Sequence, residues 1–194
     1  QDSSEVTLNY ATELVVTTLQ PGEPRRLSLK GEAFFRVRRN ETPFIVSTRC
    51  ADVRVVGTEF NLREREGTLE VAVTHGIVQV RVVKDGKDST LTLRQNQMAL
   101  CTQNGFPKRI DDMPSPEYPG WLQGKLFLNR TPFAATCREI EMRFDVEIRI
   151  DDPNLRNEMI TGTLNARTAE SALSALCGLT GKGFKHDNQR YTIY

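Results

Sequence analysis

Histidine is nearly missing from this chain of 194 residues: His75 and His186 are the only two. Tryptophan occurs once, as Trp121, and none of the four cysteines, Cys50, Cys101, Cys137 and Cys177, belongs to a Cys-x-x-Cys pair. A zinc site needs about four clustered nitrogen or sulfur ligands, so no metal is expected. Nucleophilic catalysis needs a base beside serine or cysteine. His75 falls in a predicted hairpin turn and His186 at a strand end far along the chain, so both read as surface residues. Charge of one sign is also lacking. The net charge is +1, which predicts no nucleic-acid or membrane-surface footprint. No apolar run approaches the roughly 20 residues that span a bilayer, and no signal peptide is visible. The opening, Gln1-Asp-Ser-Ser-Glu-Val-Thr-Leu8, is strand-like and lacks an initiator methionine; it reads as a fragment whose natural N-terminal part is removed.

Other reactive patterns are equally thin. Asp111-Asp112 sits among prolines, and Asp151-Asp152 precedes Pro153, where aspartate favours local backbone hydrogen bonds. Gly181-Lys-Gly183 lacks the rest of a phosphate loop. Arg38-Arg39 reads as a solvated basic pair. No catalytic residue and no cofactor are expected, and the chain is expected not to be an enzyme.

What is present is alternation. Val6 and Leu8, Leu27 and Leu29, Phe35 and Val37, Val53 and Val55, Leu69 to Val73, and Val78 to Val82 each alternate with polar residues. Period two with β-branched residues is the pattern of half-buried strands. Thr74-His-Gly76 and Lys84-Asp-Gly-Lys87 have hairpin-turn chemistry. Many short strands at close spacing predict an all-β sandwich or a β-solenoid-like fold for residues 1–106. Residues 107–120 hold Pro107, Pro114, Pro116 and Pro119 and read as a linker, because proline removes a ladder donor.

Residues 121–194 mix periods. Lys125–Leu128 reads as a strand, and Thr131-Pro132 as a helix cap followed by a proline at the first helical position. Phe133, Cys137, Ile140 and Phe144 recur at helical spacing. Val146–Ile150 and Met159–Leu164 read as strands, and Ala169 to about Leu179 as a second helix between Thr168 and Gly181. Gly183–His186 and Arg190–Tyr194 close as a strand pair. The order predicts a small two-layer β-α-β-β-α-β-β module.

Three stretches carry a resemblance. They are Leu29-Lys-Gly-Glu-Ala-Phe-Phe-Arg-Val37, Pro43-Phe-Ile-Val46 and Val55-Val-Gly-Thr-Glu-Phe-Asn-Leu62. Val71 to Val78 adds a Val-x-Val-x-x-Gly-x-Val pattern, and Asp2-Ser-Ser4 stands where an Asp-Gly-Ser turn is usual. Together they resemble the FecR family of inner-membrane anti-sigma regulators. Locally, Gly31, Gly57, Phe34, Phe35, Phe44 and Phe60 read as scaffold. The tail, with Trp121-x-x-Gly-Lys-Leu-x-Phe and Thr161-Gly-Thr163, resembles the secretin-and-TonB short N-terminal fold, a signalling-domain module.

The resemblance implies a periplasmic sensor region of a bacterial inner-membrane anti-sigma factor. Its implied partner is the signalling domain of a TonB-dependent outer-membrane transporter. A cytoplasmic segment absent from this fragment would hold the extracytoplasmic-function sigma factor, and a membrane helix, also absent, would anchor it. The alternative is a periplasmic carbohydrate- or cell-wall-binding module, with Trp121 and the tyrosines stacked on sugar; the regulator reading instead expects Trp121 packed at the domain junction. The partner is expected at Arg190, Tyr191, Thr192 and Ile193, read as a terminal strand on a sheet edge where a partner strand adds; the plain alternative is that Tyr191 and Ile193 fill the core. The four cysteines allow two disulfides in three connectivities. Pairing, if any, is expected within modules, Cys50 with Cys101 and Cys137 with Cys177, the alternative being four small buried apolar residues.

Overall fold

The computed structural model describes residues 3–18, 20, 22–110, 113 and 115–194. The turn position Asp2, the Asp111-Asp112 pair and Pro114 lie outside the described residues. The chain divides into two compact units, Gln1–Pro116 and Glu117–Tyr194.

The first unit is all β. Its strands are β1 (Glu5–Leu8), β2 (Glu13–Thr18), β3 (Arg25–Val37), β4 (Phe44–Ser47), β5 (Asp52–Val55), β6 (Thr58–Arg65), β7 (Thr68–His75), β8 (Ile77–Lys84), β9 (Lys87–Arg94), β10 (Met98–Thr102) and β11 (Lys108–Ile110). They join in the order β11-β10-β7-β6-β3-β4-β5-β8-β9, with β1 and β2 both on β3. The pivot is β3. Its first half pairs with β2 on one side and, in parallel, with β4 on the other. Its second half pairs with β1 and β6, both antiparallel. One long strand therefore belongs to both layers, and the sheet folds over into a sandwich, the first of the two architectures expected. Strand β11 occupies part of the stretch read as linker.

The bend lies at Gly31, where φ is +111°. A Cβ there would stand 2.6 Å from Thr12 Oγ1 and 2.8 Å from the Ala11 carbonyl, so only glycine fits without strain. On the partner side, residues 9–12 interrupt what would otherwise be one strand running from β1 into β2. They clamp the bend. The Asn9 N–H and the Thr12 hydroxyl both donate to the Glu32 carbonyl, at 2.8 and 3.0 Å, and the Glu32 N–H donates to Thr12 Oγ1 at 2.9 Å.

The sandwich interior follows from the alternation. Phe35, Phe60, Leu62, Leu69, Val71, Val73, Val78, Val80 and Leu93 form one continuous core. Phe35 stacks on Phe60 with centroids 4.9 Å apart and meets Phe44 edge-on at 6.1 Å, the two ring geometries that the aromatic quadrupole favours.

The second unit is built from β12 (Lys125–Pro132), α1 (Phe133–Phe144), β13 (Glu147–Ile150), β14 (Met159–Asn165), α2 (Ala169–Thr180), β15 (Phe184–Asp187) and β16 (Arg190–Ile193), with short 3-10 helices at Gly120–Gln123 and Pro153–Asn157. Strands β12 and β14 pair with each other, and a second sheet runs β13-β16-β15. Phe133, Cys137 and Ile140 of α1 share a core with Leu173, Leu176 and Cys177 of α2 and with Tyr191 and Ile193. Helix α2 begins on a capping box: the Ser171 N–H donates to Thr168 Oγ1, and the Thr168 N–H to Ser171 Oγ, both at 3.1 Å. It ends on Gly181 at φ +64°.

Helix α1 starts differently from expectation. Thr131 does not cap it, because β12 continues through Pro132, which pairs with Met159. The first helical N–H, of Phe133, bonds to the Glu158 carbonyl at 2.8 Å. The neighbouring strand segment satisfies the donor that a side-chain cap would have taken.

Candidate interaction surfaces

The sandwich has a buried polar centre at its bend. Glu32 and Asn61, one from each of the two longest sequence motifs, are both buried. Asn61 Nδ2 donates to Glu32 Oε1 at 2.9 Å, and Asn9 Nδ2 donates to Glu32 Oε2 at 2.8 Å. Arg63 stands across the strand pair with its Nε 3.8 Å from the same carboxylate. A buried charge is tolerated only when its lone pairs are satisfied, and here three elements converge to do so. Sequence reading took these motifs as scaffold through their glycines and aromatics and passed over Glu32 and Asn61. The signal was present: each is a polar residue flanked on both sides by apolar ones, which in a strand places it on the opposite face.

Beside the bend lies a cleft of about 340 Å³ lined by Glu13, Val15, Lys30, Thr48, Arg49 and Glu64. The Glu64 side chain is fully buried and its Oε1 accepts from Arg49 Nε at 2.6 Å. A second hollow, of about 520 Å³, opens in the second unit where Asp145, Glu147, Asp187, Asn188 and Arg190 meet.

The strand expected to receive the partner is not at an edge. β16 lies between β13, with which it runs parallel, and β15, with which it runs antiparallel. Its backbone is used on both sides, so the premise that Arg190, Tyr191, Thr192 and Ile193 offer free donors fails. Tyr191 and Ile193 are buried in the core. Arg190 Nε is held by Glu147 at 2.9 Å, and Thr192 is half-buried.

The open edges of that sheet are its two outer strands, and they differ. On β13 the outward Ile148 N–H is already taken by Glu141 Oε1 of α1 at 2.7 Å. On β15 the ladder alternates from the Gly183–Tyr194 pair, which exchanges both backbone hydrogen bonds. Lys185 and Asp187 therefore face β16, and the N–H groups of Phe184 and His186 point outward. Among the described residues strand β15 pairs with β16 alone. His186 is exposed and lies flat on Tyr191, with ring centroids 4.9 Å apart.

His75 sits exposed at the end of β7, in the first unit, and so apart in the chain from His186 in the second. Among the described residues no group of three or more His, Cys, Asp or Glu side chains could hold a metal ion. Nor is any helix there long and apolar enough to cross a membrane. Trp121 is half-buried on a 3-10 turn, Tyr10 packs under Arg65 at 4.4 Å in the first unit, and Tyr191 is buried in the second.

All four cysteines are buried free thiols. Burial pushes the Cys101 thiol up to about 11, with the neighbouring Cys50 adding to it. Burial, then Glu141 and Cys177, push Cys137 up to about 12.

Comparison with known proteins agrees with the division into units. The model described as FecR protein matches residues 1–79, and the model described as FecR, C-terminal, matches residues 125–193. No curated protein matches the chain. A crystal structure from Parabacteroides distasonis ATCC 8503 at 1.65 Å resolution, assigned as a candidate anti-sigma factor, is 31% identical and superposes with a TM-score of 0.83 over 100% of this chain and 91% of that one. A 2.50 Å structure of the same assignment and organism gives 31% identity and a TM-score of 0.82 over 100% and 90%. With both family models matched in order, and a relative of 31% identity aligned from end to end, the chain belongs to the FecR family of anti-sigma factors.

Proposed function

We propose that this chain is the periplasmic sensor region of an inner-membrane anti-sigma factor, and that it receives its signal from the signalling domain of a TonB-dependent outer-membrane transporter. The reading rests on one observation above all: a FecR sandwich and a FecR C-terminal module stand in series in one chain. The chain carries signal by binding and does no chemistry. The ligand-loaded transporter presents its signalling domain, the sensor region engages it, and the cytoplasmic segment of the same protein alters its hold on an extracytoplasmic-function sigma factor.

The receiving surface is the outer edge of β15. Its unpaired backbone groups offer a ladder to an incoming strand, while the outward donor of Ile148 on β13 is occupied. The test is isothermal titration of this chain with the signalling domains of the TonB-dependent transporters encoded in the same genome. Saturable one-to-one binding is expected. No heat and no co-elution at high micromolar concentration of both proteins would overturn the reading.

A further inference from the structure

Cys50 and Cys101 are both buried, and the Cys101 side chain reaches the Cys50 backbone. Cys50 lies in the turn between β4 and β5, and Cys101 in β10, so each belongs to a different layer. Cys101 Sγ is 3.6 Å from the Cys50 carbonyl oxygen. Cys50 Sγ is 3.5 Å from the Gly67 carbonyl, which in turn accepts the N–H of Gln103, two residues beyond Cys101. Three turns thus gather around two sulfurs. The chain between them contains β5 through β9, so a bond here would close a long loop across the core. Long loops gain most from closure.

We propose that Cys50 and Cys101 are a disulfide-forming pair that locks the two layers of the sandwich together when the chain matures under oxidising conditions. The oxidant is an external disulfide, of a protein oxidase or of glutathione. One cysteine thiolate attacks it, forming a mixed disulfide and releasing one thiol. The second cysteine thiolate attacks the protein-side sulfur of that mixed disulfide, closing the Cys50–Cys101 bond and releasing the second thiol. Two protein thiols lose two electrons and two protons, and the external disulfide is reduced to two thiols. The exchange belongs to the folding chain, before burial suppresses the thiolates.

The decisive experiment exports the full chain to an oxidising bacterial periplasm, traps free thiols with iodoacetamide in denaturant and maps the peptides without reduction. Linked Cys50 and Cys101 peptides are expected, with two of the four thiols lost. Adding reductant should lower the melting temperature of the β-rich unit by several degrees. The C137A/C177A variant should lose both of its remaining thiols. The proposal is overturned if Cys50 and Cys101 are recovered alkylated, or if the mapped bridge joins either of them to Cys137 or Cys177.

Discussion

Gly31 sets how the first unit closes. Its φ of +111° and the 2.6 Å approach of Thr12 to the position of a Cβ leave no room for a side chain, and the clash on one side is with the Ala11 backbone, which cannot rotate away. Gly31→Ala should therefore destabilise the unit by about 2–4 kcal/mol, read as a lower urea midpoint with an unchanged slope. A midpoint within error of the wild type would show that the bend relaxes around an added methyl. The neighbouring Glu32 shows what one-dimensional reading missed. Alternation assigns it to the face opposite Ala33 and Phe35, but nothing local states that this face is buried or that Asn9 and Asn61 meet it there. Those partners stand 23 and 29 residues away, and only the fold brings them together.

At the scale of elements, what could be read was what is local. The capping box of α2 is a Thr-x-x-Ser pair in consecutive sequence, and Gly181 ends the helix, so Thr168 and Gly181 marked the boundaries correctly. Thr168→Ala should cost about 1 kcal/mol of stability in the second unit, measurable by urea unfolding followed by far-ultraviolet circular dichroism. A cost below a few tenths would mean that the Ser171 hydroxyl alone satisfies the helix start. Helix α1 defeated the same rule because its first donor is satisfied by Glu158, 25 residues downstream of Phe133. The position of β16 was hidden for a related reason. Tyr191 and Ile193 alternate with Arg190 and Thr192 whether a strand is central or at an edge. Alternation reports the face of a sheet and is silent on the neighbours within it. The parallel pairing with β13 comes with β14, α2 and β15 lying between the two strands in the chain, a separation that no window of sequence contains.

For the whole molecule, the two family segments fall one within each of two units, and each unit owns a hydrophobic core. The first is held by one folded sheet; the second includes β15, an outer strand whose Phe184 and His186 N–H groups turn away from β16. In the proposed reading the signal is received by the smaller unit, at the outward N–H groups of Phe184 and His186. Amide hydrogen exchange on this chain, free and bound to the transporter's signalling domain, reads those groups directly. Strand addition predicts that the Phe184 and His186 amides exchange quickly in the free chain and become strongly protected in the complex, with the Lys185 amide, already bonded to β16, changing little. A complex that forms while Phe184 and His186 continue to exchange as in the free chain would contradict the account.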